Sequence, residues 1–334
     1  FQFNYLWRWR SDKMHTYQMG LPLVSGFQFV RIDIRSESFR QRLIDLNDLF
    51  LINAYSNQLI FNDFKLVYAY SNERLLERMH TPKRLQVNYD MSLDLVGNSM
   101  ALFLMNRDTN DIGQRTAFGI PFSQFLRVDN DLKFYQKFSR SRTLAMRLQG
   151  GVGYTYGNSR TAMPFDYAFF AGGSNDNRGW RARELSPGAY QYHLDTNRTI
   201  TQIGDIRLGA SLEYRFKIPA SNRLLGAVFT DAGNIWTLRS DPNRPGAQFT
   251  NRFYEQIALA GGVGLRLDLS FLIVRFDVGV PIHNPAMSPG ARWIWNSRDI
   301  FEQELDQIYG SSPARNNVLR PFVPKYHFAI GFPF

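Results

Sequence analysis

The chain has 334 residues, with 39 Lys and Arg against 29 Asp and Glu for a formal charge of +10, and is 44% hydrophobic and 15% aromatic. A chain this aromatic is not intrinsically disordered, and the absence of cysteine excludes disulfides, thiolate zinc sites and cysteine nucleophiles together. No apolar run approaches the roughly 18 residues of a spanning helix, since the densest, Phe271-Leu272-Ile273-Val274, is stopped by Arg275.

The first ten residues place Phe1, Phe3, Tyr5, Trp7 and Trp9 on one face and Gln2, Asn4, Arg8 and Arg10 on the other, a period of two that means strand. They carry no apolar core or small-residue cleavage site of a signal peptide, so the chain is expected to begin inside a longer protein. Weaker strand patterns follow near 14–20 and 26–35. Phe39, Leu43 and Leu46, three to four apart, predict a short helix in the connection over 36–47. After a further strand near 58–71, Leu85 to Leu95 alternates without a break against Arg84, Gln86, Asn88, Asp90, Ser92 and Asp94. Strands are predicted near 123–137 and over 144–154. The next, over 206–216, sets Leu208, Leu212 and Phe216 against Arg207, Glu213 and Arg215. Another lies near 223–236, and 257–269 and 272–280 set apolar residues against Arg266 and Asp268 and against Arg275 and Asp277. Tyr326, Phe328, Ile330, Phe332 and Phe334 end the series as one apolar row.

This is about twelve strands, and the low mean hydropathy of −0.32 fits apolar residues dispersed by alternation. A soluble sandwich or β-helix also alternates, but its strands are usually about five or six residues, whereas a tilted membrane strand needs about 9–11. A polar lumen and an apolar exterior explain both faces at once, so the fold class expected is an all-β transmembrane antiparallel β-barrel. Two long connections, 161–202 and 284–323, are rich in Gly, Asn, Arg or Pro, and loops of that length in a compact barrel usually have a role.

The first of these contains Gly172-Gly173-Ser-Asn-Asp-Asn-Arg178-Gly179-Trp180. This run resembles the GG-x-x-x-x-RG-aromatic signature in the sixth loop of the BamA and TamA superfamily, outer-membrane barrels that insert or translocate other proteins. Later segments match in order. Leu212 to Pro219 is similar to the family's strand-twelve segment, and Val228-Phe229-Thr-Asp231-Ala-Gly233 to its F-x-D-x-G strand. Gly261-Gly-Val-Gly264-Leu-Arg266, Val278-Gly-Val-Pro281 and Phe328-Ala-Ile-Gly331-Phe-Pro-Phe334 complete the series. Upstream, Trp9-Arg10-Ser11 with His15 and Ala117 to Phe122 is similar to the TamA-like lipoproteins of Bacteroidota.

The resemblance implies that residues 1–334 are the C-terminal part of one sixteen-strand barrel, preceded by periplasmic POTRA domains, with 161–202 entering the lumen and 284–323 extracellular. An Arg carried into a wide barrel meets carboxylates on the wall in a bidentate, charge-assisted contact. Arg178 is the candidate arm. Parity puts Phe229 and Asp231 on one face and Glu213 with Arg207 and Arg215, which makes Asp231 and Glu213 candidate lumen partners. An isolated charged loop residue more commonly decorates a solvated surface, the plainer reading of Arg178. Gly172, Gly173 and Gly179 are expected to let the loop turn tightly.

Other chemistry is thin. Histidines 15, 80, 193, 283 and 327 lack metal-ligand spacing, no G-x-S-x-G occurs, and Asp108-Thr-Asn-Asp111 reads as a polar turn rather than a calcium site. Basic residues are spread along strands rather than gathered on one element, which excludes a nucleic-acid surface. The function that the resemblance implies is non-enzymatic and needs no cofactor: assembly or translocation of client β-barrel or exported proteins at the bacterial outer membrane, in contact with its lipid and with accessory envelope proteins through N-terminal domains. Its last strand, 324–334, is the expected seam, with Gly331 and Pro333 weakening regular pairing and Phe334 ending the lipid-facing row. A two-partner-secretion export pore and a passive diffusion channel are the alternatives.

Overall fold

The computed structural model describes residues 2–12, 14–21, 26–30, 41, 58–73, 84–104, 109, 113–139, 141–159, 163–191, 202–219, 221, 223–318 and 320–334. Two compact units comprise Phe1–Leu75, Asn88–Asp131 and Gly151–Ala168, and Leu76–Val87, Leu132–Gly150 and Phe169–Phe334. The expected helix at 36–47 and the Asp108 to Asp111 turn fall almost wholly outside the described residues.

The first unit is built on β1 (Gln2–Asn4), β2 (Trp7–Arg10), β3 (His15–Gly20), β4 (Gly26–Val30), β5 (Gln58–Ser71) and β6 (Arg84–Val96), the residues of β6 before Asn88 belonging to the second unit. Along one edge of β5, β4 pairs the first part and β3 the second, while β6 pairs the other edge, all antiparallel. The alternating run at the start of the chain is interrupted at Tyr5 and Leu6, so that β1 joins β4 and β2 joins β3. A short helix α1 (Asn98–Phe103) and a small ribbon of β7 (Thr116–Ala117) and β8 (Ile120–Pro121) pack over the apolar cluster of Leu59, Ala117 and Phe122. Buried Asp94 accepts a 2.6 Å contact from Lys65 on the neighbouring strand. His15 meets the Tyr68 hydroxyl at 2.8 Å, and Phe118 is almost fully exposed beside buried Ala117.

In the second unit the sheet order is β9 (Phe125–Ser139), β10 (Arg142–Thr155), β11 (Ile206–Lys217), β12 (Leu224–Trp236), β13 (Ala258–Asp268), β14 (Ile273–His283) and β15 (Lys325–Ile330), with the first residues of β9 and the last of β10 belonging to the first unit. From β11 to β14 the strands have 11 to 13 residues, the length a tilted membrane strand requires and about twice that of an ordinary soluble one. The register is antiparallel and continuous, with one irregularity between Leu259 and Ala260.

The two faces reverse the arrangement of a soluble protein. Leu212, Val228, Val263, Leu265, Phe276, Tyr326, Phe328 and Ile330 are exposed, the last three at 70% or more. On the opposite face Glu213, Asp231, Arg266, Arg275 and Asp277 are 0–1% exposed. Exposed apolar rows backed by buried charge are what alternation produces when lipid lies on one side and polar groups on the other. Among the described residues no helix is long and apolar enough to cross a membrane.

One expectation needs correction. The last strand stops at Ile330, because Gly331 adopts φ 85° and turns the chain; Phe332 and Phe334 therefore leave the outward row that Tyr326, Phe328 and Ile330 form. The connection 284–323 contains a helix, α2 (Ser297–Tyr309), which buries Phe301 and Leu305 against Met287, Ala291 and Val318. The four-residue spacing of Phe301 and Leu305 carried that signal.

Candidate functional site

The loop that follows β10 folds onto the charged face of β11 to β14. Gly172 and Gly173 adopt φ values of 95° and 105°, a region open to glycine and costly for other residues. The Gly172 N–H donates to Asp176 at 2.8 Å and the Gly173 N–H to the Trp180 carbonyl at 2.9 Å, closing a compact turn. Trp180 is buried with Phe169, Leu185, Ile235 and Ala258. Gly179 serves a different purpose from the expected turn. Its φ is not positive, and an added Cβ would lie 2.7 Å from that of Ala260, so it allows close approach to β13.

Between them Arg178 is fully buried. Its Nε and Nη2 donate to the two Asp231 oxygens at 2.8 and 2.9 Å, its Nη1 to Glu213 at 2.5 Å, and its main-chain N–H to Asp231 at 3.1 Å. The guanidinium lies 3.4 Å above the Phe229 ring, one strand-repeat from Asp231 on the same face. Burial opposes the charge, but the adjacent Asp231 and Glu213 carboxylates outweigh it and hold the Arg178 pKa above its ordinary value. The plainer reading of Arg178 as a solvated loop residue is inconsistent with this geometry.

The site is larger than Arg178 and its two expected partners. Glu213 also receives Arg266 at 3.0 Å through Oε2 and Arg215 at 2.8 Å through Oε1. Arg266 donates to Asp277 as well, and Asp277 lies 3.6 Å from Arg178 and 3.5 Å from Arg275. Arg275 in turn donates to Asn175 of the loop at 2.6 Å. The Arg178 carbonyl accepts from His327 of β15 at 2.9 Å. Arg266, Arg275 and Asp277 were on the polar face by parity, and only their convergence on one loop residue was not legible. Gly279 and Gly264 make the convergence possible. A Cβ at Gly279 would stand 2.2 Å from the Arg178 carbonyl oxygen, and one at Gly264 would collide with Asp277 and Arg266. Gly233 lies opposite Gly209 in the β11–β12 pair, where a Cβ would be 2.5 Å from the Leu208 carbonyl.

Just outside β11, buried Asp205 accepts the Leu238 N–H at 3.0 Å through one oxygen. Burial pushes its carboxyl up to about 6, only partly opposed by that bond and by Arg239 and Arg244. A carboxyl raised from 3.8 makes the folded state hold its proton longer, so stability should fall as pH rises through the interval up to 6, by about 3 kcal/mol in total. Asp205→Asn should abolish that slope in urea unfolding measured between pH 4 and pH 7, and an unchanged slope would exclude Asp205 as its source. Among the described residues no cluster of His, Asp or Glu is placed to hold a metal.

Long strands with an exposed apolar face, and a loop arginine locked into carboxylates on the other, define a membrane β-sheet protein with an inward-folded loop. A family profile described as the Omp85 superfamily domain matches residues 56–296. The chain belongs to the Omp85 superfamily, whose members are outer-membrane β-barrels. Among solved structures it is similar to the crystal structure of BamA from Haemophilus ducreyi lacking POTRA domains 1-3, at 18% identity and a TM-score of 0.49, covering 81% of this chain and 48% of that one. The chain thus spans about half the length of that protein.

Proposed function

We propose that this chain is the C-terminal part of a sixteen-strand outer-membrane barrel that inserts or translocates client proteins without enzymatic chemistry or nucleotide. The observation that carries this reading is the match of residues 56–296 to the Omp85 superfamily domain. β15 pairs with β14 and carries the exposed Tyr326, Phe328 and Ile330. With β15 as the seam, strand addition by a client at its backbone is the mechanism proposed. The Arg178 loop supports a lumen that is occupied rather than open, which favours small flickering conductance over a steady diffusion pore. Similarity of Trp9-Arg10-Ser11, His15 and Ala117 to Phe122 to the TamA-like lipoproteins of Bacteroidota supports that branch, with POTRA domains and accessory envelope proteins as partners.

Because the chain contains no cysteine, a single Ala329→Cys places one thiol on β15. We expect it to cross-link to a cysteine in the terminal strand of an arrested β-barrel client in intact outer membranes, whereas Ser211→Cys in β11, a strand with neighbours on both sides, should not. Equal cross-linking at both positions would exclude β15 as the point of client entry. Adducts with only one cognate exported substrate would favour a two-partner-secretion pore instead.

A further inference from the structure

The turn at Gly331 brings the following residues back against the sheet, with Phe332 37% exposed, Pro333 buried and Phe334 half-buried. After Gly331 donates its N–H to the Ile273 carbonyl at 2.8 Å, the segment reaches β11, although three strands separate β11 from β15 in the sheet. There the Arg215 guanidinium sits 4.2 Å from the Phe332 ring centroid and 5.6 Å from that of Phe334, and its Nη2 donates to the Phe334 main-chain oxygen at 3.3 Å. Arg215 is itself buried, and its Nε is held at 2.8 Å by the same Glu213 that receives Arg178. One carboxylate therefore orients both the loop arginine and the arginine that grips residues 331–334.

We propose that Arg215 is a positioning residue that latches residues 331–334 to the charged face of the sheet and, through Glu213, makes that latch depend on the Arg178 lock. The alternation in the sequence would otherwise carry Phe332 and Phe334 onward along the outer row, in line with Phe328 and Ile330. A planar guanidinium can stack on two rings while its edge donates to a carboxylate and a carbonyl, a combination unavailable to an ammonium. Withdrawal of Arg178 removes one of the two guanidinium donors on Glu213 Oε2, leaving Arg266 alone to hold it, and so loosens Arg215 and the end of β15. The consequence for client entry rests on the reading of β15 as the seam; the latch itself does not.

The test uses the full chain in outer membranes with a single Pro333→Cys and a water-soluble maleimide, and Ile330→Cys on the exposed row as a reference. Heat-modifiable mobility identifies the folded fraction that is scored. Labelling at 333 should be slow in the parent. It should accelerate about tenfold, the factor that two cation–π contacts of ordinary strength supply together, with Arg215→Lys and with the Phe332→Leu/Phe334→Leu pair. Arg178→Lys should accelerate it too, while labelling at 330 stays constant. Arg215→Lys retains a cation beside Glu213, so it keeps the experiment decisive if Arg215→Ala does not fold. Fast labelling in the parent, an unchanged rate in Arg215→Lys, or equal acceleration at 330 and 333 would overturn the latch. An unchanged rate in Arg178→Lys alone would overturn its coupling to the loop. No client is needed for any of these readings, so failure of the Ala329 cross-link would count against the seam and leave the latch standing.

Discussion

Arg178→Ala should destabilise the folded sheet by about 3–5 kcal/mol, the range for removing one partner of a buried ion pair, rather than the 0–1 kcal/mol of an exposed one. Burial decides between the two regimes: Arg178 and Glu213 are 0% exposed and Asp231 is 1%. The composition of the network adds an asymmetry. Four guanidinium groups, of Arg178, Arg215, Arg266 and Arg275, meet three carboxylates, of Glu213, Asp231 and Asp277. Arg178→Ala removes the excess positive charge, whereas Asp231→Ala doubles it, so the aspartate substitution should be the more damaging. Urea unfolding followed by heat-modifiable mobility would rank them. The double variant should be little worse than Asp231→Ala alone, since both act on one contact. Simple additivity of the two effects, or a harmless Asp231→Ala, would show that the network is not a unit.

Gly279→Ala should come close to the same loss without touching a charge. The added Cβ has 2.2 Å to the Arg178 carbonyl oxygen, and that oxygen is pinned from the other side by His327 at 2.9 Å. Neither neighbour is the free end of a flexible side chain, so the strand and the loop must separate. Overpacking of this kind typically costs about 1–3 kcal/mol on its own, to which displacement of the Arg178 guanidinium from its carboxylates is added. Protease sensitivity of the 170–188 segment should rise in Gly279→Ala as it does in Arg178→Ala, and the double variant should resemble either single one. A Gly279→Ala protein that unfolds at the parental urea concentration would mean that the loop does not pack here as described.

Strand positions and the division of residues between faces were legible because a period of two depends only on the local backbone. Lys217 and His283 extend predicted strands by one and three residues without changing which side chains face which way. The Arg178, Glu213 and Asp231 contact was likewise within reach, since parity confines the carboxylates to one face and a buried guanidinium must find them. Helix α2 was missed despite Phe301 and Leu305 at helical spacing, because its connection was read from its prolines alone. The contribution of Arg266, Asp277 and Arg275 was hidden for a different reason. Each was assigned to the polar face, but convergence on Arg178 depends on the registers of β11 through β14 together and on the space left by Gly264 and Gly279.

The last strand separates what each level determines. Alternation by itself continues through Phe334, and period two carries no information about where a strand stops. The sequence determined that Tyr326, Phe328 and Ile330 share an apolar face and that Gly331 permits a turn. Only the tertiary structure decided that the turn is taken, because Arg215, four strands away along the sheet, supplies a guanidinium for the Phe332 and Phe334 rings and a donor for the Phe334 main-chain oxygen. A side-chain pattern fixes the faces of a strand through covalent geometry, whereas its end is set by a competition between continued pairing and distant partners that no local pattern contains.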